Sequence, residues 1–248
     1  MGKAHVGTMG WSYSFWRGNF YPEGLDADSL LIEYSKHFDT VEVDSTFYRI
    51  PKIQTVTRWK EQTPPGFLFS AKFPRVITHV KMLRDCGEEV DRFLGSISQL
   101  QDKLGPLLLQ FPPKFKLEQM HRLRDFLSSL PHKYRFALEV RNRKLLDNQL
   151  YSLLKDNNIA LTLVDSAFMP KVEEITANFT YVRWEGNRRT VKGTLGKAEV
   201  DRTNDVELWA EKVKQFLDLR IEVFGYFSKY YSGHPPSDAS LLLTLLQL

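Results

Sequence analysis

Five carboxylates, Glu42, Asp44, Glu139, Asp165 and Glu185, and three cations, Lys72, Arg141 and Arg183, stand at the ends of short apolar runs. In these runs charge alternates with hydrophobe: Val41 and Val43 against Glu42 and Asp44, Leu138 and Val140 against Glu139 and Arg141, Val182 and Trp184 against Arg183 and Glu185. A strand sends successive side chains to opposite faces, so each run offers one apolar and one charged face. Ser70 and Gln110 extend the polar set. Buried charge is costly unless paired or used. A converging set is therefore either an ion-pair network closing a barrel or an active site in which carboxylates handle protons and cations hold an anion. Charge is a poor filler where Val and Ile would serve, which favours the active site. In that reading Glu139 and Asp44 exchange protons, and Arg141, Arg183 and Lys72 clamp the anion.

Convergence needs a scaffold, and the apolar pattern supplies one. Eight β-rich runs recur: Val6–Trp11, Thr40–Asp44, Phe67–Lys72, Leu107–Phe111, Phe136–Arg141, Ala160–Asp165, Thr180–Glu185 and Ile221–Tyr226. Between them helix-period stretches are expected over Leu30–His37 (capped by Asp28-Ser29), Glu88–Leu104 (stopped by Gly105-Pro106), Leu117–Leu130, Asp147–Asn157, Asp205–Leu219 and Pro236–Leu246. Eight strand–helix units in 248 residues leave about 31 residues each, the arithmetic of a (β/α)8 TIM barrel in a single domain, residues 1–248. A doubly wound sheet is the alternative, but Gly7-Thr8-Met9-Gly10 lacks the third glycine of a dinucleotide fingerprint. In a barrel the chemistry sits where strands run into the following loops.

Those loops carry further candidates. After the seventh run comes Gly186-Asn187-Arg188-Arg189-Thr190-Val191-Lys192-Gly193, and after the eighth Ser228-Lys229 and Ser232-Gly233, where barrels commonly cradle phosphate. Arg188 and Lys229 join the binding set on that ground, with a solvated basic loop as the plain alternative. Trp11, Tyr13 and Tyr48 are candidate walls for a base or sugar ring, against the plain reading that they pack a long loop. No cofactor is expected. A divalent-metal-dependent isomerase or hydrolase using Glu42, Glu139, Asp165 and Glu185 is a further option, and His79 and His234 are read as structural.

Composition bounds the rest. Hydrophobic residues make up 42% of the chain and charged residues 26%, which excludes disordered and collagenous classes. A net charge of +4 is low for an obligate nucleic-acid binder, so a non-catalytic module binding nucleic acid or a protein partner through the basic loop and the aromatics is the alternative reading. The lone Cys86 rules out an intramolecular disulfide and carries no expected role. No run approaches the ~20 apolar residues of a membrane span, and Met1–His5 opens no signal-peptide core, so a cytoplasmic protein is expected. Oligomeric state is not set by any of these features.

Several blocks of the sequence resemble the YecE-like family, domains of unknown function. They are Gly7–Tyr13, Phe20-Tyr21-Pro22, Val41–Arg49, Ile77-Thr78-His79, Lys103-Leu104-Gly105 with Leu109–Pro113, Ala137–Arg141, Asp165-Ser166, Tyr181–Gly186 and Gly233–Ala239. The resemblance runs through essentially the whole chain in order. It implies a TIM barrel and no particular reaction. The family pattern has Asn at the position of Asp44, His at those of Asn142 and Glu185, and Asn at those of Ser228 and Lys229. These departures set aside a catalytic role shared with the family at those positions, and either a different substrate or no turnover is expected of this chain.

Overall fold

The expected runs become strands because each is short, β-rich and apolar on the face that helices cover. The computed structural model describes residues 2–248. Its strands are β1 (Ala4–Thr8), β2 (Thr40–Val43), β3 (Leu68–Lys72), β4 (Leu104–Phe111), β5 (Phe136–Val140), β6 (Ala160–Ser166), β7 (Phe179–Gly186) and β8 (Glu222–Phe227). All ladders are parallel, in the order β1-β8-β7-β6-β5-β4-β3-β2. This is the barrel the sequence predicts.

Closure between β1 and β2 uses little backbone. Met9 bridges Glu42, and the Gly10 amide donates to the Glu42 carbonyl at 2.8 Å. Below them, a Cβ on Gly7 would fall 2.2 Å from the Thr40 carbonyl oxygen, so this approach requires glycine. The fully buried Tyr34 hydroxyl spans the remaining gap, accepting from the Thr8 amide at 2.9 Å and donating to the Thr40 carbonyl at 3.1 Å.

Seven α-helices occur among the described residues: α1 (Leu30–Tyr34), α2 (Ile53–Glu61), α3 (Gly87–Ile97), α4 (Met120–Ser129), α5 (Asn148–Asp156), α6 (Thr203–Asp218) and α7 (Pro235–Leu246). Three expectations are corrected. The helix placed over Glu88–Leu104 ends at Ile97 and tightens into a 3-10 stretch, Ser98–Lys103, with Gln101 at φ 55°; Gly105 and Pro106 then belong to β4. The eightfold strand–helix alternation also breaks once. Residues 167–178 join β6 to β7 without a helix, and the Thr176 hydroxyl ties this segment to Leu161 N and Ile159 O. Asp28 and Ser29 lie in a 3-10 turn and provide no side-chain cap to α1.

Two apolar clusters follow from the pleat. The larger lies between strands and helices; the smaller (Met9, Leu108, Ala137, Ala160, Phe179, Tyr181, Phe224 and Tyr226) fills the barrel. Above it the inward positions turn polar. Among the described residues no helix is long and apolar enough to cross a membrane.

Candidate functional site

The charged layer is organised by Arg183 on β7. Its Nε and Nη2 make a two-point contact with Glu42 on β2, at 3.0 and 2.8 Å. Nη1 donates to Glu139 on β5 and to Glu185, both at 2.6 Å, and Nη2 also reaches the Met9 sulfur at 3.3 Å. A guanidinium has five N–H groups, and all five are engaged. Arg183, Glu42 and Glu139 are 2%, 0% and 1% exposed. The structure thus places Arg183, expected as part of an anion clamp, with its donors on protein groups, tying three strands together. Arg141 is only partly engaged, donating to Glu139 at 2.8 Å and Glu185 at 2.5 Å, and its side chain is 24% exposed.

The two buried carboxylates diverge. Burial raises Glu42 to about 7, Arg183 opposing and Asp44 adding to the rise; Tyr181 donates to it at 2.7 Å. Burial also works to raise Glu139, but Arg183, Arg141 and Lys72 outweigh it and hold the carboxyl at about 2. Both Glu139 oxygens already accept, one from Arg141 and one from Arg183, so the structure places this expected proton handler as the anchor of the two arginines.

Lys72 and Asp44 remain. Asp44 opens a 3-10 turn, Asp44–Phe47, directly after β2, and the Thr46 hydroxyl lies within hydrogen-bond distance of both the Val43 and Lys72 carbonyls, clipping this turn to β3. The Lys72 ammonium stands 3.8 Å from Asp44 Oδ1 and 4.3 Å from the centre of the Phe47 ring. That Asp44 oxygen is sealed from solvent without a hydrogen bond. Burial, with help from Arg183, lowers the Lys72 pKa against the pull of Asp44. His79, read from the sequence as structural, belongs to this group. A π-helical turn after β3, Val76–Val80, packs its ring edge-on against Phe47 at 4.9 Å. Burial and the fields of Lys72, Arg141, Arg75 and Lys114 push it down to about 4, so it is neutral at pH 7. No sequence signal marks a π turn.

The remaining candidates divide. Gln110 pairs in register with Glu139 and is 3% exposed. Tyr13 reaches the mouth, its hydroxyl donating to the Met9 carbonyl at 2.9 Å, with Lys229 5.6 Å above its ring. Asp165 is a correction. It shares parity with the outward Leu161 and Leu163, and it accepts from Trp209 Nε1 on α6 at 2.7 Å. Trp11 is another, because it packs edge-on against Trp59 at 5.6 Å and against the outward Phe69, outside the barrel. Tyr48 is 81% exposed and walls nothing.

The expected phosphate cradle is filled by the protein itself. Lys192 and Gly193 amides donate to the Glu199 carboxylate at 2.9 and 2.6 Å. A Cβ on Gly186 would fall 2.2 Å from the Tyr230 carbonyl, so this glycine serves loop packing. The final helix begins with Pro235-Pro236, which lack N–H groups, and the buried Asp238 already accepts from Ser232 near that end at 2.6 Å. Arg188 lies exposed over the Phe168 ring at 5.5 Å, away from the cage contacts. Among the described residues no three of His, Cys, Asp and Glu are grouped so as to hold a metal ion, since guanidinium groups bridge the carboxylates.

The model of the protein family of unknown function DUF72 matches residues 5–248. The chain belongs to the DUF72 family. A curated relative of this DUF72 protein, UPF0759 protein YecE of Escherichia coli K12, is 38% identical over 56% of the chain, a match spanning about half (48%) of the relative's length. UPF0759 protein YunF of Bacillus subtilis is 28% identical over 98% of this chain and 95% of its own. A DUF72 crystal structure from Thermotoga maritima superposes with a TM-score of 0.84 at 26% identity, covering 99% and 100% of the two chains. One from Enterococcus faecalis gives 0.80 at 23%, covering 100% and 99%. These likenesses carry the fold, and none of the names states a reaction.

Proposed function

We propose that the carboxyl-end mouth of this DUF72 barrel binds and transforms a small anionic molecule, phosphorylated or carboxylated, by acid–base chemistry. Lys72 and Asp44 are the working groups. Arg141, with the cationic field that also acts on His79, receives the anion, and Arg183, Glu42 and Glu139 are the rigid frame beneath. Glu185 fixes Arg141, while Gln110, Tyr13 and Lys229 border the space. The observation that carries this reading is the Lys72–Asp44 pair. In a layer where the other charges are hydrogen-bonded, this cation and this carboxylate face each other at 3.8 Å with bonding capacity unspent. Working groups must keep donors and acceptors free for substrate, whereas framing groups spend theirs on the protein.

The test is a panel of sugar phosphates, nucleotides and oxo acids, read by thermal shift and product formation. A responding compound is expected to lose its effect with Lys72→Met and to keep it with Lys133→Met, at the opposite end of the barrel. A panel without a responder, or a response indifferent to Lys72→Met, refutes the reading. A second reading, nucleic-acid binding, is favoured by Arg143, Arg188 and Arg189 gathered around Phe168 at the rim. It requires affinity that falls steeply with salt, since phosphate contacts release counterions.

A further inference from the structure

Two lysines in this fold are comparably buried, Lys103 at 7% exposed and Lys72 at 8%, and they differ in one respect. The Lys103 ammonium donates to the Lys60 carbonyl at 2.7 Å and the Thr63 carbonyl at 2.5 Å, and lies 3.1 Å from the Thr63 hydroxyl. That is how a structural lysine meets the cost of burial. Lys72 has no such bonds. Its nearest carboxylate oxygen stands at 3.8 Å, and it is not among the polar atoms sealed from solvent, so the nitrogen keeps contact with the mouth. A neutral amine tolerates this setting better than an ammonium, and a neutral amine is a nucleophile.

We propose that Lys72 condenses with the carbonyl carbon of an anionic aldehyde or ketone to form an imine. This deepens the function proposed above and rests on its anion-receiving mouth. Asp44 first takes a proton from the Lys72 ammonium. The Nζ electron pair then forms a bond to the carbonyl carbon, the C=O π pair moves to oxygen, and Asp44 returns the proton there. The carbinolamine nitrogen gives up a second proton, the hydroxyl is protonated, the C–O bond breaks, and water leaves. Ammonium and carbonyl compound thus become a protonated imine and one water, with no oxidant or reductant. Phe47, under the nitrogen at 4.3 Å, limits the approach to the mouth side and shields the adduct from water.

The experiment incubates the full chain with dihydroxyacetone phosphate at pH 7.5, reduces with sodium borohydride, and maps the modified peptide by mass spectrometry. The expected result is label on Lys72 at least tenfold above any other lysine, falling at least tenfold in rate with Asp44→Asn. Thermal stabilisation by dihydroxyacetone phosphate without label on Lys72 overturns the imine and leaves the anion-binding reading standing. Equal labelling of Lys72 by uncharged dihydroxyacetone supports the imine and removes the anion from the reading. Label spread evenly over the lysines overturns the proposal outright.

Discussion

Replacing Arg183 by Met tests the cage directly. The substitution keeps a long apolar stem and removes five donors. Glu42, fully buried, is left with the Tyr181 hydroxyl alone, while Glu139 retains Arg141. Removing one partner of a buried ion pair costs about 3–5 kcal/mol, because the charge left behind has lost both water and counter-charge. In a chain of this size 1 kcal/mol moves the melting temperature by about 2–4 °C, so a fall on the order of 6–20 °C is expected. Arg183→Lys should fall between, since an ammonium restores charge without the planar fork.

The deficit should also depend on pH. Without the guanidinium, the folded-state pKa of Glu42 rises further above its unfolded value. A group of that kind supports the fold below its unfolded pKa and withdraws support as pH climbs through the folded one. In the native chain Glu139, held at about 2, is the opposite case, contributing above its unfolded pKa, and part of that contribution leaves with Arg183. The Glu42 effect shrinks the difference between native chain and variant at pH 5 and enlarges it at pH 8, whereas the Glu139 loss is nearly constant across that range because both values lie above its unfolded pKa. Urea unfolding at the two pH values reads this, with the other carboxylates cancelling in the difference. A deficit below about 1 kcal/mol, or one equal at both pH values, would refute the argument that Arg183 compensates buried carboxylates.

Two further outcomes follow from groups outside the mouth. Tyr34→Phe strips the hydroxyl from the β1–β2 seam and leaves the Thr8 amide and Thr40 carbonyl buried without it, at about 1–3 kcal/mol for an unsatisfied group; the urea midpoint should drop and Thr8 amide exchange should quicken, and an unchanged midpoint would show the seam does not rely on it. At the other end of the barrel burial opposes charge on His5, yet hydrogen bonds with Asp39 at 2.7 Å and with Glu222 raise its pKa; its support is full below the ordinary His value of about 6.5 and fades as pH climbs through the raised one, so His5→Gln should cost more at pH 6 than at pH 9, and equal cost would contradict this.

The strands and the convergence of four carboxylates and three cations were legible in the sequence because both rest on a period of two, which depends on nothing outside the strand. Parity also held the answer for Asp165: Ala160, Thr162 and Val164 share the inward phase, leaving Asp165 with Leu161 and Leu163. Helix α2 escaped notice because Val56 is its one buried residue, too little for a stripe. His79 depends on a π turn with no composition of its own, followed by left-handed Met82, Leu83 and Asp85. The engagement of Arg183 was out of reach for another reason. Whether a guanidinium is spent depends on Met9, just past β1, and side chains from β2, β5 and β7 meeting in space, and no single run contains that information.

Under the proposed function, hydrogen-bond engagement distinguishes the framing groups of this mouth from its working groups. Charge alone ranks Arg183 first, since it is the most deeply buried cation and lies at the centre. Counting its hydrogens reverses the ranking, because a group whose donors all end on protein has nothing to offer a ligand without first breaking a buried pair. The same count promotes Lys72, whose hydrogens have no partner within bonding distance, and leaves Arg141 between them with its second terminal nitrogen free. The frame also makes the working pair possible. Arg183 draws Glu42 and Glu139 into fixed positions, so the carboxylate nearest to Lys72 is Asp44, whose Oδ1 accepts no hydrogen bond and stands 3.8 Å from Lys72 and 3.9 Å from Arg183 Nη2. Loosening Arg183 would free Glu42 and Glu139 to compete for the Lys72 ammonium and return it to an ordinary ion pair. In the proposed function, the cage's part is to keep the Lys72 amine without a hydrogen-bonding partner.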